Sequence, residues 1–322
     1  MDLTAILSPV SDEMRRVDET IRESLHSDVA LVSQLGHYII NSGGKRLRPV
    51  VVLMAARAGG YQGEHHVDMA AVIEFIHTAT LLHDDVVDGS EMRRGLNTAN
   101  AIWGNEASVL VGDFLYSRAF QMMVRVGSLE IMNIMADATN TIAAGEVMQL
   151  MHVHDPDTTE ASYLEVIQRK TATLFEAGAR VGAALGGTPD ELKDALGRYG
   201  LHLGNAFQLV DDLLDYSGSV EAIGKNIGDD LAEGKATLPL IRALGQGDPH
   251  QRELIRSAIE HGGLDNLHEV VSAVESTGAI EYTSRLARAE ADQAIEAIRG
   301  LRESAFRESL IRLADFCVER SY

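Results

Sequence analysis

The sequence has a single cysteine, Cys317, which rules out an internal disulfide framework and suits a reducing compartment. With only 6 prolines and one tryptophan, Trp103, little interrupts its long Ala/Leu/Ile/Met stretches. Basic residues are outnumbered, 28 Lys and Arg against 48 Asp and Glu. The resulting net charge of −20 repels nucleic-acid phosphates and argues against a DNA or RNA partner. No apolar run approaches the roughly eighteen residues of a membrane span. The acidic start, Met1-Asp2-Leu3-Thr4, lacks the basic and then apolar character of a secretory signal. No low-complexity tract, long linker or repeat of about 20–50 residues occurs. These absences predict a cytoplasmic protein with no transmembrane segment.

The residues present read as helix nearly everywhere, with 45% hydrophobic content over 322 residues to fill a large core. Thr188-Pro189-Asp190-Glu191 predicts a helix start with a capping box, and Asp248-Pro249-His250-Gln251 repeats that logic. Pro49 is expected to open a further helix, and Leu301–Tyr322 to form an amphipathic helix over the core. Expected loops are Gly59–Glu64, His152–Ala161, Gly186–Pro189, Ser217–Lys235 and Gly245–Pro249. The fold class is therefore all-α, a bundle of roughly a dozen helices forming one domain over 1–322. Two domains split near 155 are disfavoured, because matched chemistry lies on both sides.

That chemistry starts at His83-Asp84-Asp85-Val86-Val87-Asp88. At about 100° per residue, Asp84 and Asp88 share one helix face, Asp85 lies on the flank, and His77 falls within about 20° of Asp84. Carboxylates ending an apolar helix repel one another unless a cation lies among them. Oxygen ligands without cysteine favour Mg²⁺ over zinc. A solvated acidic helix end is the alternative. A second motif, Asp211-Asp212-Leu213-Leu214-Asp215, has the same spacing, with Gln208 one turn before Asp212. The pair reads as two facing walls of one cavity, where several Mg²⁺ ions are clamped and substrate oxygens complete their coordination.

Cations supply the complement. Gly43-Gly44-Lys45-Arg46-Leu47-Arg48 is a glycine-opened basic turn entering a helix, which favours an anion. Arg93 and Arg94 follow the first motif, and paired guanidinium groups suit a diphosphate. Lys170-Thr171, Lys225 and Lys235 are further candidates, each weak alone.

These residues resemble the trans-type polyprenyl diphosphate synthases, all-helical enzymes of the isoprenoid synthase type that condense isopentenyl diphosphate onto allylic diphosphates. The resemblance runs from Gly43 to the C-terminal helices, with the motifs in family order. It implies that Asp84, Asp85, Asp88, Asp211, Asp212 and Asp215 bind Mg²⁺ and act catalytically with Lys170. Lys45, Arg48, His77 and Arg94 would hold isopentenyl diphosphate. Arg93, Lys170, Thr171, Gln208, Lys225 and Lys235 would hold the allylic diphosphate, for which farnesyl diphosphate is the expected primer. A homodimer is also implied. The tracts 75–94 and 146–157 look most like bacterial octaprenyl diphosphate synthases, which make quinone side chains. Peripheral contact with a bilayer would then release an apolar product.

Product length has its own signal. The tail is expected to run along the helix preceding Asp84, where one turn of about 5.4 Å matches roughly one isoprene unit. Ala79 and Thr80 are small and leave that path open, and Met123 and Met135 are candidates for its floor, unless they simply fill core. A shorter-chain synthase is one alternative. An HD-type metal phosphohydrolase is suggested by His83-Asp84 but leaves the second motif unexplained. A non-catalytic synthase subunit would typically lose one motif, and a terpene cyclase usually alters the second. His65-His66 reads as loop, His152 and His154 as a polar connection, and Trp103 as packing.

Overall fold

The computed structural model describes residues 2–217, 228–262 and 266–319. Helix α1 (Leu3–Leu7) leads into α2 (Ser11–Ser24), α3 (Ala30–Asn41), α4 (Leu47–Ala58) and α5 (His65–Val87). A two-stranded hairpin, β1 (Met92–Arg93) and β2 (Leu96–Asn97), precedes α6 (Ala99–Trp103), α7 (Asn105–Val126), α8 (Leu129–His152) and α9 (Glu160–Ile167). A π-helical turn at Gln168–Ala172 joins α9 to α10 (Thr173–Leu185), and α11 (Asp190–Ser217) follows. Then come α12 (Asp229–Ala232), α13 (Leu238–Gln246), α14 (Pro249–His261), α15 (Leu267–Ser276), α16 (Ala279–Ala297) and α17 (Ala305–Val318). The all-α expectation holds, with short helices added to the anticipated dozen. Among the described residues no helix is long and apolar enough to cross a membrane.

Composition explains the layering. α4 and α5 are apolar on nearly every face, and both lie in the main hydrophobic core. α5 packs against α2, α4, α7 and α10, while α10 is held between α4 and α11. Two smaller apolar clusters lie beyond: one joins Tyr216 to α13, α14 and α15, the other joins α9 to α11. Close approach depends on two glycines. A Cβ on Gly145 of α8 would lie 2.8 Å from the Lys170 backbone nitrogen, and one on Gly204 of α11 would lie 2.5 Å from Ala172 Cα. Only the bare backbone at those positions lets α8 and α11 close on the π-turn from either side.

Several local expectations are corrected. Asp248 and Gln251 form their capping box, but the Thr188 hydroxyl donates to the Ala183 carbonyl, finishing the helix before it instead of opening α11. Pro49 is the third residue of α4, still in the first turn where its missing N–H costs nothing. His65 and His66 are not loop residues: they open α5, and His66 is fully buried on its core face. Among the described residues the hairpin is the one pair of strands. Arg94 and Gly95, with φ of 54° and 75°, supply the two positive φ angles of a primed turn, and Met92 pairs with Asn97.

Candidate active site

Both aspartate motifs close long helices, at the end where the helix dipole disfavours anions. They open onto one cavity of about 890 Å³, near the top of the roughly 300–1,000 Å³ range of small-molecule pockets. Asp84 and Asp88 line it together with Asp211, Asp212 and Asp215, so the two motifs share one cavity.

The first motif is held by cations. Lys170 Nζ lies 3.5 Å from Asp84 and donates to Glu146 and Gln149 of α8, each at 2.6 Å. Lys235 Nζ donates to Asp88 at 2.8 Å and to Glu233 at 2.5 Å. Burial works against the Lys235 charge, but Asp88 and Glu233 outweigh it and hold its pKa above the usual range. Asp85 differs from its neighbours. It is fully buried, does not line the cavity, and accepts from Arg93 Nε and Nη2 through Oδ1 at 2.8 and 2.6 Å. Burial pushes the Asp85 carboxyl up, with Arg93 opposing.

In the second motif Asp212 is held by neutral donors. Gln208 Nε2 donates to Asp212 Oδ1 at 2.6 Å, and the Tyr163 hydroxyl donates to Oδ2 at 2.5 Å. Thr171 in turn donates to Gln208 at 3.1 Å. The backbone N–H of Asp230 donates to Asp215 at 3.2 Å. Burial and the nearby Asp230 push Asp212 up to about 7. Glu146, buried near Asp84, is likewise pushed up to about 7.

The basic turn forms the cationic end. Gly43 and Gly44 have φ of 88° and 141°, and Arg46 caps α4 in the left-handed conformation. Arg46 is spent on structure, donating to Glu74 at 2.6 Å. Arg48 donates to His77 Nε2 at 3.3 Å and stacks 4.4 Å above the Phe175 ring. Burial lowers the Arg48 pKa to about 10, and burial with Arg48 nearby keeps His77 neutral. Arg94 donates to the Gly43 carbonyl, and Lys45 lies 5.7 Å over the Phe316 ring. All four residues expected to hold isopentenyl diphosphate therefore line one cavity with Thr171, Gln208, Arg93, Lys170 and Lys235. Lys225 lies outside the described residues.

Thr80 lines the cavity and Ala79 is buried behind it. Met123 and Met135 do not line it: both are fully buried in the main core, on the inward stripes of α7 and α8. His83 turns to α7, 3.2 Å from the Val109 carbonyl and 3.4 Å from Asp113, away from the partnership an HD-type centre needs. His154 approaches the Ile259 carbonyl at 3.0 Å, and Trp103 packs edge-on to Tyr38, as a connection and a packing residue should. Sequence reasoning passed over Glu146, Gln149, Tyr163 and Glu233. Glu146 and Gln149 carried a signal, two polar residues one turn apart in an apolar helix. Tyr163 carried none, because a tyrosine in a helix reads as core.

The donor chemistry fits a hard divalent cation. The candidate ligand atoms are oxygens, burial and neighbouring carboxylates push Glu146 and Asp212 up to about 7, and among the described residues the buried Asp85 Oδ2 has no hydrogen-bond partner. Among the described residues no three His, Cys, Asp or Glu side chains already converge on one point. Separate cationic partners hold the first motif's three carboxylates apart.

Comparison with known proteins agrees with this geometry. The sequence signature of the family described as Polyprenyl synthetase matches residues 29–276. The chain is 54% identical over 321 residues to Octaprenyl diphosphate synthase of Escherichia coli, covering 99% of each. It is 50% identical to the enzyme of the same name from Haemophilus influenzae, covering 100% of this chain and 98% of that one. Among solved structures, a polyprenyl synthase from Caulobacter crescentus complexed with calcium and isoprenyl diphosphate superimposes with a TM-score of 0.96. Its sequence identity is 44%, and the match covers 99% of this chain and 98% of that one.

Proposed function

The chain belongs to the polyprenyl synthetase family, and from that premise we propose that its cavity elongates an allylic diphosphate with isopentenyl diphosphate units. It is a trans-prenyltransferase, with farnesyl diphosphate as primer and octaprenyl diphosphate, for a quinone side chain, as product. One observation carries this reading: both motifs and both cationic sets line the same cavity.

Two diphosphates need two different ends. Lys45, Arg48 and Arg94, with neutral His77, form a metal-free cradle for isopentenyl diphosphate. Arg93, Lys170 and Lys235 stand beside the carboxylates, where the allylic diphosphate binds with Mg²⁺ held by the two motifs. Magnesium, when bound, neutralises charge on the leaving diphosphate. Lys170 and Lys235 add fixed positive charge where negative charge grows as the allylic C–O bond breaks. The double bond of isopentenyl diphosphate attacks the allylic cation, and proton loss completes the added unit. Among the described residues no cavity side chain stands out as the base, and the departing pyrophosphate takes that role in this reading. Phe175 and Phe207, their rings 5.6 Å apart beside Arg48, help keep water from the cation.

The tail runs along α5 past Thr80 and Ala79. Reaching a floor at Met123 or Met135 requires the packing of α5, α7 and α8 to open beyond the present cavity. We further propose a homodimer through α7 and α8, supported by the exposed Leu110, Leu129, Leu150 and Met151 at 60–75% relative exposure. A single buried cysteine accords with a cytosolic location. Incubation with Mg²⁺, isopentenyl diphosphate and farnesyl diphosphate, followed by product sizing, is expected to give an eight-unit chain. Absence of any elongation would defeat the reading, and a shorter ladder would correct the product.

A further inference from the structure

One continuous helical rod touches both aspartate motifs. α9, the π-turn and α10 follow one another without a break, and the rod carries Tyr163 and Lys170 seven positions apart, close to two turns. Lys170 reaches Asp84 of the first motif at 3.5 Å. Tyr163 reaches Asp212 of the second at 2.5 Å. From this geometry we propose that Tyr163 is a positioning residue: its hydroxyl fixes the Asp212 carboxylate and, with Lys170 on the same rod, sets the separation of the two carboxylate clusters. The inference rests on the reading of the motifs as a diphosphate site and adds a residue to it.

Two observations support it. Tyr163 is only 5% exposed, so water competes little for its hydroxyl. The other Asp212 oxygen accepts from Gln208, so the two donors together define one orientation of the carboxylate plane. Without Tyr163, Asp212 keeps, among the described residues, the Gln208 donor of its own helix four residues away, and loses its link to the rod that carries Lys170.

The test uses the full chain and inorganic pyrophosphate with Mg²⁺ as a probe, read by calorimetry. Tyr163→Phe removes the hydroxyl and keeps the ring, so the packing of α9 is retained. The magnesium-dependent component of pyrophosphate binding is expected to weaken about tenfold, the scale typical of lost support for a metal ligand. KM for the allylic diphosphate should rise while KM for isopentenyl diphosphate stays level, because that cradle does not touch α9. In an Asp212→Ala background the same substitution should have no further effect. Unchanged pyrophosphate affinity in Tyr163→Phe would overturn the proposal, and so would a loss of equal size in the Asp212→Ala background. Elongation by the unaltered enzyme is measured separately, so failure of the parent reading shows there and not in the pyrophosphate titration.

Discussion

The two aspartate motifs have the same spacing, but their buried middle carboxylates, Asp85 and Asp212, are held by different partners. In the first, every carboxylate has a cation: Lys170 for Asp84, Arg93 for Asp85 and Lys235 for Asp88. In the second, Asp212 accepts from a phenol and an amide, and Asp215 from a backbone N–H. The helices above them differ as well. Four residues before Asp84 stands Thr80, whereas four before Asp211 stands Phe207, packed against Phe175. One motif thus follows a small hydroxyl residue on the cavity wall, and the other follows an aromatic pair. Repetition of a motif in sequence does not imply repetition of its role.

The largest expected effect treats the motifs as equals. Asp84→Ala and Asp211→Ala should each lower kcat by roughly 10³-fold or more, with the far-UV spectrum unchanged. A variant retaining more than a tenth of the activity would show that one motif alone suffices. The next effect separates them. Asp85→Asn leaves Arg93 without its ionic partner in a buried site and should cost on the order of 3 kcal/mol in metal-free stability. Asp212→Asn keeps a hydrogen-bonding side chain and removes a crowded charge, so its thermal midpoint should hold or rise. Equal losses in denaturation would erase the distinction between the two environments.

A pH titration sharpens the contrast further. Glu146 and Asp212 hold protons in the folded state up to about 7, above the range carboxylates show in an unfolded chain. Between about pH 5 and 7 the unfolded state therefore binds fewer protons, and the contribution of these groups to stability falls as pH rises, levelling off above 7. Thermal melts of the metal-free protein should show that decline, reduced in Asp212→Asn. Added Mg²⁺ should stabilise more above pH 7 than below, because ligation needs the ionised carboxylates. The smallest effect on rate concerns the open path. Ala79→Tyr should change turnover of the first condensation only a few-fold yet shorten the product. Unchanged product length would show that the tail leaves by another route.

Much of this was legible in the sequence, for identifiable reasons. Helix periodicity and paired carboxylates are local patterns, so the bundle and both motifs could be read directly. Tyr163 as a partner of Asp212, and Glu146 as a partner of Lys170, could not. Tyr163 meets Asp212 across 49 positions, and Glu146 meets Lys170 across 24; only packing decides such pairings. His66 failed for the opposite reason: a polar pair after a glycine resembles a loop, and tertiary burial prevailed. The hairpin at Arg94-Gly95 was hidden because a basic pair drew a phosphate reading before a turn reading. Met123 and Met135 were placed by type, and their core-facing positions keep them from the cavity wall.

Gly145 and Gly204 do not line the cavity, yet they set how near three helical segments come beside it. An alanine at either place would wedge the backbones apart by more than a side chain can absorb. A screen that scores only residues facing the ligand would label both positions neutral. Their cost would appear as a widened gap between Lys170 and its neighbours, so constraint on this enzyme extends to places with no functional group at all.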